Sequence, residues 1–400
     1  MGEARERQPM HKVLFMCYDF KLGGNAQVLS TILQYLDRDL FDPVLVTYSE
    51  ERGYPLPQGI SDYALRVRGG GGLVRKLAVN FVAVLRLRRV LRKEQPRIVV
   101  GMGGMSNWAL ILAAKLTSGK TPIIIGEHGA GALEYRKDRI TSNLMGLLNK
   151  VLYPFADRVV AISDGVRKYL VQDLKLPEGK IVSITNPIDI ERIQRLSREQ
   201  VDHPWLVHKD KPVILWAGRI ETLKGVHHLI GALERVLSQI DVRLIIVGEG
   251  PEQSTVRSSV KRKGLQEKVD FVGFQSNPYR YMSKSSVLAF PSLGGEGLPM
   301  VLVEAMACGL PVVSTDCVAG PAEILQNGRC GILVPVGDEE SLAKGILSVL
   351  TDPPLRERLV SAAARRATDF EPVQVVSSYE RLFREVCNAS SSGDLAVDPS

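Results

Sequence analysis

Two glutamates lie eight residues apart in the segment 294–316, which reads GGEGLPMVLVEAMACGLPVVSTD. Glu296 is in a glycine-rich turn after the apolar run VLAFPS, and Pro299 favours the first turn of a helix that carries Glu304. A helix N-terminus presents unpaired N–H groups and the positive end of the helix dipole, which suit a diphosphate. Carboxylates accept hydrogen bonds from vicinal hydroxyls, so the pair suits a sugar and a ribose. For Glu304 alone, a solvated carboxylate near a helix start is the alternative interpretation.

Two cations follow the apolar run KPVILWA in the segment 218–225, GRIETLKG. Arg219 and Lys224 flank a turn at the C-terminal end of a predicted strand, which is where ligands bind to open α/β sheets. Cations at this place stabilise the negative charge that grows on a departing diphosphate. From this segment alone, an ordinary pair of surface side chains is the alternative interpretation.

Short apolar runs alternate with longer helical patterns along the whole chain. Runs that are apolar throughout are typical of parallel strands covered by helices on both faces, so two such series predict two doubly wound α/β domains. The predicted strands of the first series are HKVLFMCY, FDPVLVTY, PRIVVGMG, TPIIIGEH, DRVVAIS and KIVSIT. Those of the second series are KPVILWAG, VRLIIVGEG, VDFVGF, SSVLAFPS, LPVVSTD and GILVP.

These runs divide the chain. We predict a first domain over 1–185, a polar and charged linker over 186–209, and a second domain over 210–371. The amphipathic segment 372–387 indicates a final helix that joins the first domain. The tail 388–400 is small and polar, and we predict that it is disordered.

The composition is that of an ordinary globular protein: 400 residues, of which 45% are hydrophobic and 24% are charged. No apolar run reaches the roughly 18 residues of a membrane-spanning helix, and the first residues do not resemble a secretory signal. Five scattered cysteines without a CxxC pair indicate free thiols in a reducing cytoplasm and argue against a zinc site. The net charge of +7 fits nucleic acid, anionic lipid or phosphorylated ligands.

Much of the basic charge lies in the segment 73–97, LVRKLAVNFVAVLRLRRVLRKEQPR. Helical spacing places apolar residues on one face and basic residues around it, which suits a helix in the headgroup layer of an anionic membrane. The apolar residues are Leu77, Phe81, Val84, Leu85 and Val90 or Leu91, and the basic ones are Arg75, Lys76, Arg86, Arg89, Arg92 and Lys93. A helix that covers the first sheet with a solvated basic rim is the alternative. No nucleic-acid motif accompanies the charge, so we expect no nucleic-acid partner.

Taken together, these segments resemble glycosyltransferase family 4, and the resemblance covers nearly the whole chain. The matching segments occur in the family's order: the turn with Gly23 and Gly24, GEHG with His128, SDGVRKYL, NPID, GRIETLKG, VGEGP, and the pair Glu296 and Glu304. The resemblance implies a GT-B fold, with two Rossmann-like domains. It also implies a retaining transferase that holds its nucleotide-sugar donor in the cleft between them.

The resemblance implies a role for each matching residue of the second domain. Glu304 would bind the ribose hydroxyls of the donor, and Glu296 would bind the transferred sugar. Arg219 and Lys224 would hold the diphosphate. Phe274, after VDFVG, would lie near the base.

In the first domain, the resemblance implies that Gly24 lets the backbone approach the donor and that His128 contacts the sugar. A structural role for His128 is the alternative, although Gly126 and Gly129 around it favour a loop that lines a cleft. Retention by front-face attack lets the leaving phosphate take the acceptor proton. We therefore expect no carboxylate nucleophile and require no general base.

Two departures from the family's pattern affect the expected contacts. The family often has GGAER at the first turn, where this chain reads GGNAQ over 23–27. The usual EGFG is EGLP here, and Pro299 has no N–H to donate, so Met300 and Val301 would supply the diphosphate contacts. The EGLP and EH segments are similar to those of transferases that build bacterial surface polysaccharides and lipid-linked oligosaccharides. That similarity favours a UDP-sugar donor and a polyprenyl-diphosphate-linked acceptor at the inner face of the cell membrane.

Two further patterns suggest chemistry that the context disfavours. Asp37 and Asp39 mimic a DxD metal motif, but they follow the first helix and precede a strand, away from the C-terminal ends of the strands. We therefore expect a solvated loop, no metal and no further cofactor, as GT-B enzymes generally use basic residues and helix dipoles instead. The glycine tract 69–72 lacks the strand–turn–helix context of a dinucleotide fingerprint, and we predict a flexible loop.

Other classes of protein also have Rossmann-like domains. A noncatalytic nucleotide-sugar or glycan-binding protein is one alternative, and a transferase that uses a GDP-sugar is another. An NAD-dependent oxidoreductase is disfavoured because no GxGxxG with a following acidic residue is present. A GT-B sugar phosphorylase would normally need a cofactor lysine in a longer chain.

Overall fold

The computed structural model describes residues 10–21, 23–67, 73–117, 120–129 and 139–392. These residues form two parallel sheets with helices on both faces, which confirms the predicted fold class. No helix among them is long and apolar enough to cross a membrane. The predicted glycine loop at 69–72 lies outside the described residues.

The first sheet has the strand order β3-β2-β1-β4-β5-β6-β7. Its strands are β1 (His11–Cys17), β2 (Phe41–Thr47), β3 (Ser61–Ala64), β4 (Ile98–Met102), β5 (Ile123–Glu127), β6 (Arg158–Ala161) and β7 (Ile181–Ser183). The strand β3 has no counterpart among the predicted apolar runs. It is a short edge strand, SDYA, with exposed or half-buried side chains, so it has no apolar signature.

The second sheet has the order β10-β9-β8-β11-β12-β13. Its strands are β8 (Val213–Ala217), β9 (Arg243–Val247), β10 (Val269–Gly273), β11 (Val287–Phe290), β12 (Val312–Thr315) and β13 (Ile332–Val334). In the two sheets the strand order reverses between β1 and β4 and between β8 and β11. Ligands of such sheets bind in the crevice at the reversal, so the turns after β1 and β8 are the expected walls of a site.

The helices cover both faces of the two sheets. They are α1 (Gly24–Tyr35), α2 (Leu73–Glu94), α3 (Gly104–Thr117), α4 (Arg139–Leu152), α5 (Asp164–Gln172), α6 (Ile190–Ser197), α7 (Pro204–Val207), α8 (Val226–Leu237), α9 (Gln253–Arg262), α10 (Tyr279–Met282), α11 (Met300–Ala307), α12 (Pro321–Ile324), α13 (Glu339–Thr351), α14 (Pro353–Ala367) and α15 (Pro372–Ser392). The segment 186–209, expected as a linker, contains α6 and α7, and α6 packs against α10 and α11 of the second domain.

The last helix, α15, packs on the first sheet, where the ring of Phe383 lies 6.0 Å from that of Phe15 and 5.7 Å from that of Phe41. It ends at Ser392, so the prediction that disorder begins at residue 388 is wrong for 388–392. Buried side chains as far as Cys387 anchor the preceding turns, and extending a helix costs less than starting one. The rest of the predicted tail lies outside the described residues.

The helix α2 does not present the single apolar face that its sequence predicts. Val84 and Leu91 are buried in the core against the first sheet, whereas Phe81 and Leu85 are exposed. Because this helix covers the sheet, Val84 and Leu91 turn inward, while Phe81 and Leu85 remain on the outer side. The guanidinium of Arg86 donates to the carbonyl of Leu65, so part of the basic rim is also engaged.

The aspartates of the DRD segment lie in a turn. The carboxylate of Asp37 accepts a hydrogen bond of 2.9 Å from the N–H of Asp39, and the N–H of Asp37 donates to Glu380. Among the described residues no group of three or more His, Cys, Asp or Glu side chains is placed to hold a metal ion.

The two domains touch through backbone and short side chains. The hydroxyl of Ser163 donates a hydrogen bond of 2.7 Å to the carbonyl of Gly297, and the N–H of Asp164 donates one of 2.8 Å to Glu323. A Cβ built on Gly165 would lie 2.5 Å from the Cβ of Ala319, so this approach requires glycine. A single buried cluster therefore includes side chains of both domains.

Candidate functional site

A cleft of about 490 Å³ opens between the turn after β1 and the carboxyl edge of the second sheet. Its walls are the two reversal points of the sheets, as the topology requires. The lining residues are Gly23, Gly24, Gln27, Tyr54, Ala217, Gly218, Arg219, Val247, Gly248, Glu249, Phe274, Gln275, Ser276, Pro278, Tyr279, Met282, Val301 and Glu304. Five of the residues singled out in the sequence thus face one volume, namely Gly24, Arg219, Phe274, Val301 and Glu304.

The carboxylate of Glu304 lies on α11 at the bottom of this cleft. Its Oε1 accepts hydrogen bonds of 3.2 Å from the amide of Gln27 and 3.2 Å from the hydroxyl of Tyr279. Burial raises the pKa of Glu304, and the two donors oppose that shift. The solvated interpretation of this glutamate is therefore wrong. Gln27 belongs to the first domain, so the contact spans the cleft.

The turn after β8 brings the side chain of Arg219 to the rim. Its side chain is 71% exposed, and the nearest carboxylate contact is 3.7 Å away at Glu221. A Cβ built on Gly248 would lie 1.9 Å from the carbonyl of Gly218, so only glycine lets these two turns meet beneath the arginine. The guanidinium is thus a cation with free donors at the cleft mouth.

Phe274 is 55% exposed at the opposite wall, and the chain turns there through Gly273, which has a positive φ of 71°. The N–H of Phe274 lies 3.4 Å from the carboxylate of Glu249, which holds this turn. An exposed aromatic ring in a cleft offers a flat apolar surface for stacking.

Lys224 and Glu296 form a separate group. The ammonium of Lys224 contacts the carboxylate of Glu296 at 2.6 Å, and the hydroxyl of Ser292 donates to the same oxygen at 2.9 Å. The Ser292 hydroxyl also lies 3.1 Å from the carbonyl of Leu223, so it ties the two turns together. Neither Lys224 nor Glu296 lines the 490 Å³ cleft; they lie beside it, in the turns that precede α8 and α11.

His128 follows β5 and lies against this second group. A Cβ built on Gly297 would lie 2.1 Å from the carbonyl of His128, so the two loops are in backbone contact. Both ring nitrogens of His128 are buried and have no hydrogen-bond partner in the part of the chain that the structure describes. Burial lowers the pKa of His128 to about 4, so the imidazole is neutral at physiological pH. His128 is not among the residues that line the 490 Å³ cleft, and its ring lies against Gly103 and Gly126. Its contact with the sugar stays a prediction.

Met300 begins α11 and does not line the cleft, whereas Val301, one residue later, does. Sequence reasoning missed Gln27, Tyr54, Tyr279 and Glu249. Gln27 lies in the segment GGNAQ, which departs from the family's pattern, and Glu249 lies in the matched segment VGEGP. The sequence could therefore have indicated both residues as part of the site. The two tyrosines lie in segments without a motif.

The sequence matches two family models. The one described as "Glycosyltransferase Family 4" matches residues 22–192, and the one described as "Glycosyl transferases group 1" matches residues 197–366. Between them they cover both domains, and the boundary between the two matches falls within α6.

Two curated relatives come from Campylobacter jejuni. The chain is 30% identical over 369 residues to N-acetylgalactosamine-N,N'-diacetylbacillosaminyl-diphospho-undecaprenol 4-alpha-N-acetylgalactosaminyltransferase, with 92% of this chain and 97% of that protein covered. It is 27% identical over 387 residues to GalNAc-alpha-(1->4)-GalNAc-alpha-(1->3)-diNAcBac-PP-undecaprenol alpha-1,4-N-acetyl-D-galactosaminyltransferase, with 95% and 100% covered.

The fold is similar to that of solved structures. Anabaena HepE in complex with UDP-glucose superposes with a TM-score of 0.76 at 21% identity, over 94% of this chain and 99% of that chain. A sucrose-phosphate synthase from Thermosynechococcus elongatus superposes with a TM-score of 0.82 at 19% identity, over 95% and 100%. At these identities the likeness establishes the fold alone.

The raised pKa of Glu304 predicts a dependence of stability on pH. The unfolded chain has a glutamate pKa near the ordinary 4.5, and the folded protein keeps this proton to a higher pH. The free energy of unfolding therefore falls as the pH rises from about 4.5 to the raised pKa of the folded state. Glu304→Gln removes the charge and keeps an acceptor for both donors. We expect the midpoint of thermal unfolding to rise by about 2–4 °C for each kcal/mol of burial cost that the substitution removes. The rise should be larger at pH 8 than at pH 5. Differential scanning calorimetry at both pH values measures this.

The matched control is Glu267→Gln, which replaces an exposed glutamate of the same domain and should leave both midpoints unchanged. A loss of stability at pH 8 in Glu304→Gln would mean that the carboxylate stabilises the fold, and would contradict the account of its burial.

Proposed function

This chain belongs to glycosyltransferase family 4, and on that basis we propose that it transfers a sugar from a nucleoside diphosphate donor, UDP in the first instance, to a lipid-linked saccharide with retention of configuration. The observation that carries the proposal is the cleft in which Glu304, Arg219 and the Gly23–Gly24 turn face one volume. The named activity of the relatives supports a sugar as the group transferred.

The nucleoside occupies the end of the cleft lined by Phe274 and Glu304. The base stacks on the exposed ring of Phe274, and the ribose hydroxyls donate to the carboxylate of Glu304 in place of Gln27. The diphosphate lies between Arg219 and the Gly23–Gly24 turn. A Cβ at either glycine would meet no protein atom within 4 Å, so this backbone faces open space that a donor can approach.

The transferred sugar lies at the second group. Glu296 is fixed by Lys224 and Ser292, and its free oxygen accepts from sugar hydroxyls. One N–H of the Lys224 ammonium donates to Glu296, and the other two N–H groups donate to the β-phosphate. As the bond from the anomeric carbon to the β-phosphate oxygen breaks, Arg219 and Lys224 stabilise the charge that develops there.

The chemical step keeps the configuration because attack and departure occur on the same face of the sugar. The acceptor hydroxyl oxygen forms the new bond to the anomeric carbon, its proton passes to the departing β-phosphate oxygen, and the nucleoside diphosphate leaves. No carboxylate nucleophile is required, and no divalent metal is required, because Arg219, Lys224 and the start of α11 face the diphosphate.

The acceptor is a saccharide on a polyprenyl diphosphate, the class that both Campylobacter relatives are named for. Such an acceptor is confined to a membrane, so the enzyme works at the inner face of the cell membrane as a peripheral protein. A transferase that takes a GDP-sugar is the alternative for the donor, since the exposed ring of Phe274 can stack on any base.

The surface that meets the membrane is an apolar patch across α2, α3, α4 and the turn that follows α4, which lie side by side. We call these residues the outer patch: Phe81, Leu85, Leu112, Leu116, Leu147, Val151 and Phe155. All seven are more than a third exposed, which is unusual for a contiguous group of large apolar side chains. The same helices carry the basic residues Arg89, Arg92, Lys115 and Lys150, and the ammonium of Lys180 donates to the carbonyl of Pro154 in the turn after α4, which complements an anionic bilayer.

The transfer reaction is tested with the purified protein, UDP-N-acetylgalactosamine and a short-chain polyprenyl-diphosphate saccharide, in the presence of a chelator. We expect a product one sugar heavier by mass spectrometry, released UDP and an α-linkage by NMR. Arg219→Ala and Lys224→Ala each remove a charge-assisted contact and should lower kcat/KM by about 10–100-fold. The exposed Lys261→Ala, on α9, is the matched control and should keep the wild-type rate.

Each other result has a definite meaning. Transfer from GDP-sugars only would refute UDP as the donor. Turnover that stops in chelator and returns with Mg²⁺ would refute the metal-free mechanism. Nucleotide binding without transfer from any UDP-, GDP- or ADP-sugar would favour a noncatalytic binding protein.

Membrane association is tested by sedimentation with liposomes of phosphatidylglycerol or phosphatidylcholine. We expect binding to the anionic vesicles, released by salt, and a loss of about 10-fold or more in Phe81→Ser/Leu116→Ser, because burying each side chain is worth about 1.5–3 kcal/mol. Val373→Ser removes an apolar side chain that is 68% exposed on α15, away from the patch, and should bind as the wild type does. Equal loss in both variants would contradict the assignment of the surface.

A further inference from the structure

A chain of buried polar groups runs from α3 to the end of β5 in the first domain. The amide of Asn107 donates to the carbonyl of Gly126 at 2.9 Å and to the hydroxyl of Tyr153 at 3.2 Å. The hydroxyl of Tyr153 donates in turn to Glu127 at 2.6 Å. The side chains of Asn107 and Tyr153 are completely buried, and Glu127 is 9% exposed. None of the three has a role in the chemistry described above.

Glu127 is the last of these polar groups. The described groups that bond to its carboxylate are all hydrogen-bond donors. Besides Tyr153, the N–H of Gly129 donates to its other oxygen at 3.1 Å, and the N–H of His128 also donates to the carboxylate. These three donors favour the ionised form and oppose the effect of burial, which raises the pKa of Glu127. Among the described residues no cation pairs with this carboxylate. A buried charge without a counter-ion is costly, and these hydrogen bonds offset part of that cost while they hold the groups that donate them.

What they hold is the backbone on both sides of His128. The two N–H groups bound to Glu127 are those of His128 itself and of the next residue, so the carboxylate fixes the loop in its folded shape. The carbonyl of His128 touches Gly297, next to Glu296. Both imidazole nitrogens are buried and have no hydrogen-bond partner among the described residues. The ring belongs to the loop that contacts the turn of Glu296.

We propose that Glu127, Tyr153 and Asn107 are positioning residues that fix the His128 loop against the turn of Glu296. They act through the backbone of residues 128 and 129 and do not contact the substrate. The buried hydroxyl of Tyr153 limits the movement of the carboxylate, and Asn107 limits that of Tyr153. A Cβ built on Gly101 would lie 2.4 Å from the Asn107 side-chain oxygen, so β4 leaves room for this amide.

The catalytic consequence rests on the proposed function, in which Glu296 binds the transferred sugar, and on the contact between His128 and that sugar which the family resemblance implies. Loosening the loop moves His128 relative to the sugar and leaves the nucleoside end of the cleft intact, because none of the three residues lines it. The network therefore affects turnover and not nucleotide affinity. A general loss of folding would affect both.

The first test uses Tyr153→Phe, which removes one hydroxyl from the network, with Glu127→Gln as a second variant. Tyr48→Phe is the matched control, because it removes another buried tyrosine hydroxyl of the same domain, bonded to Asn80. Hydrogen exchange at the amides of His128 and Gly129, measured by NMR, should accelerate about tenfold in Tyr153→Phe and stay unchanged in Tyr48→Phe. Unchanged exchange in both Tyr153→Phe and Glu127→Gln would overturn the proposal.

The second test is a double-mutant cycle in the transfer reaction. We expect Tyr153→Phe to lower kcat about tenfold, with the Kd for UDP unchanged, and to cost nothing more once His128→Ala is present. Additive losses would mean that Tyr153 does not act through His128 and would overturn the proposal. If the wild type transfers no sugar, the proposed function fails, and the exchange measurement still decides whether this network holds the loop.

Discussion

The contact between Gly297 and the carbonyl of His128 determines how the two domains meet. A side chain at Gly297 would lie 2.1 Å from that carbonyl, and one at Gly165 would lie 2.5 Å from Ala319, so the approach of the domains at these two points requires glycine. The hydroxyl of Ser163 then reaches the carbonyl of Gly297. Because the turn of Glu296 and the loop of His128 are held at this distance, residues from both sheets converge on one cleft.

The carboxylates near the cleft differ in how their charge is balanced. Glu296 is paired with Lys224. Among the described residues, Glu304 accepts hydrogen bonds only from the neutral Gln27 and Tyr279, and Glu127 only from Tyr153 and backbone N–H groups. Burial raises the pKa of both Glu304 and Glu127. A folded protein tolerates such groups where a ligand or a fixed geometry needs them, which is why perturbed pKa values concentrate at functional sites.

Much of this architecture could be predicted because apolar runs identify buried parallel strands, and the matched segments identify Gly24, Arg219 and Glu304 at the cleft. The strand β3 could not be predicted, because an exposed edge strand needs no apolar residues. The tyrosine partners of Glu304 and Glu127 could not be predicted for another reason. Tyr279 and Tyr153 lie in segments without a motif, and only the tertiary fold brings them to the carboxylates. The outer patch escaped too, because it is assembled from separate helices and no single helix shows it.

The central claim is that the nucleotide half of the donor lies between Glu304 and the Gly23–Gly24 turn, and a crystal structure with UDP tests it most directly. The account predicts ribose hydroxyls within hydrogen-bond distance of the Glu304 carboxylate, with Gln27 displaced from it. It also predicts the base against Phe274 and the diphosphate at Arg219. UDP bound elsewhere, or bound while Glu304 keeps both Gln27 and Tyr279 as its only partners, would contradict the account.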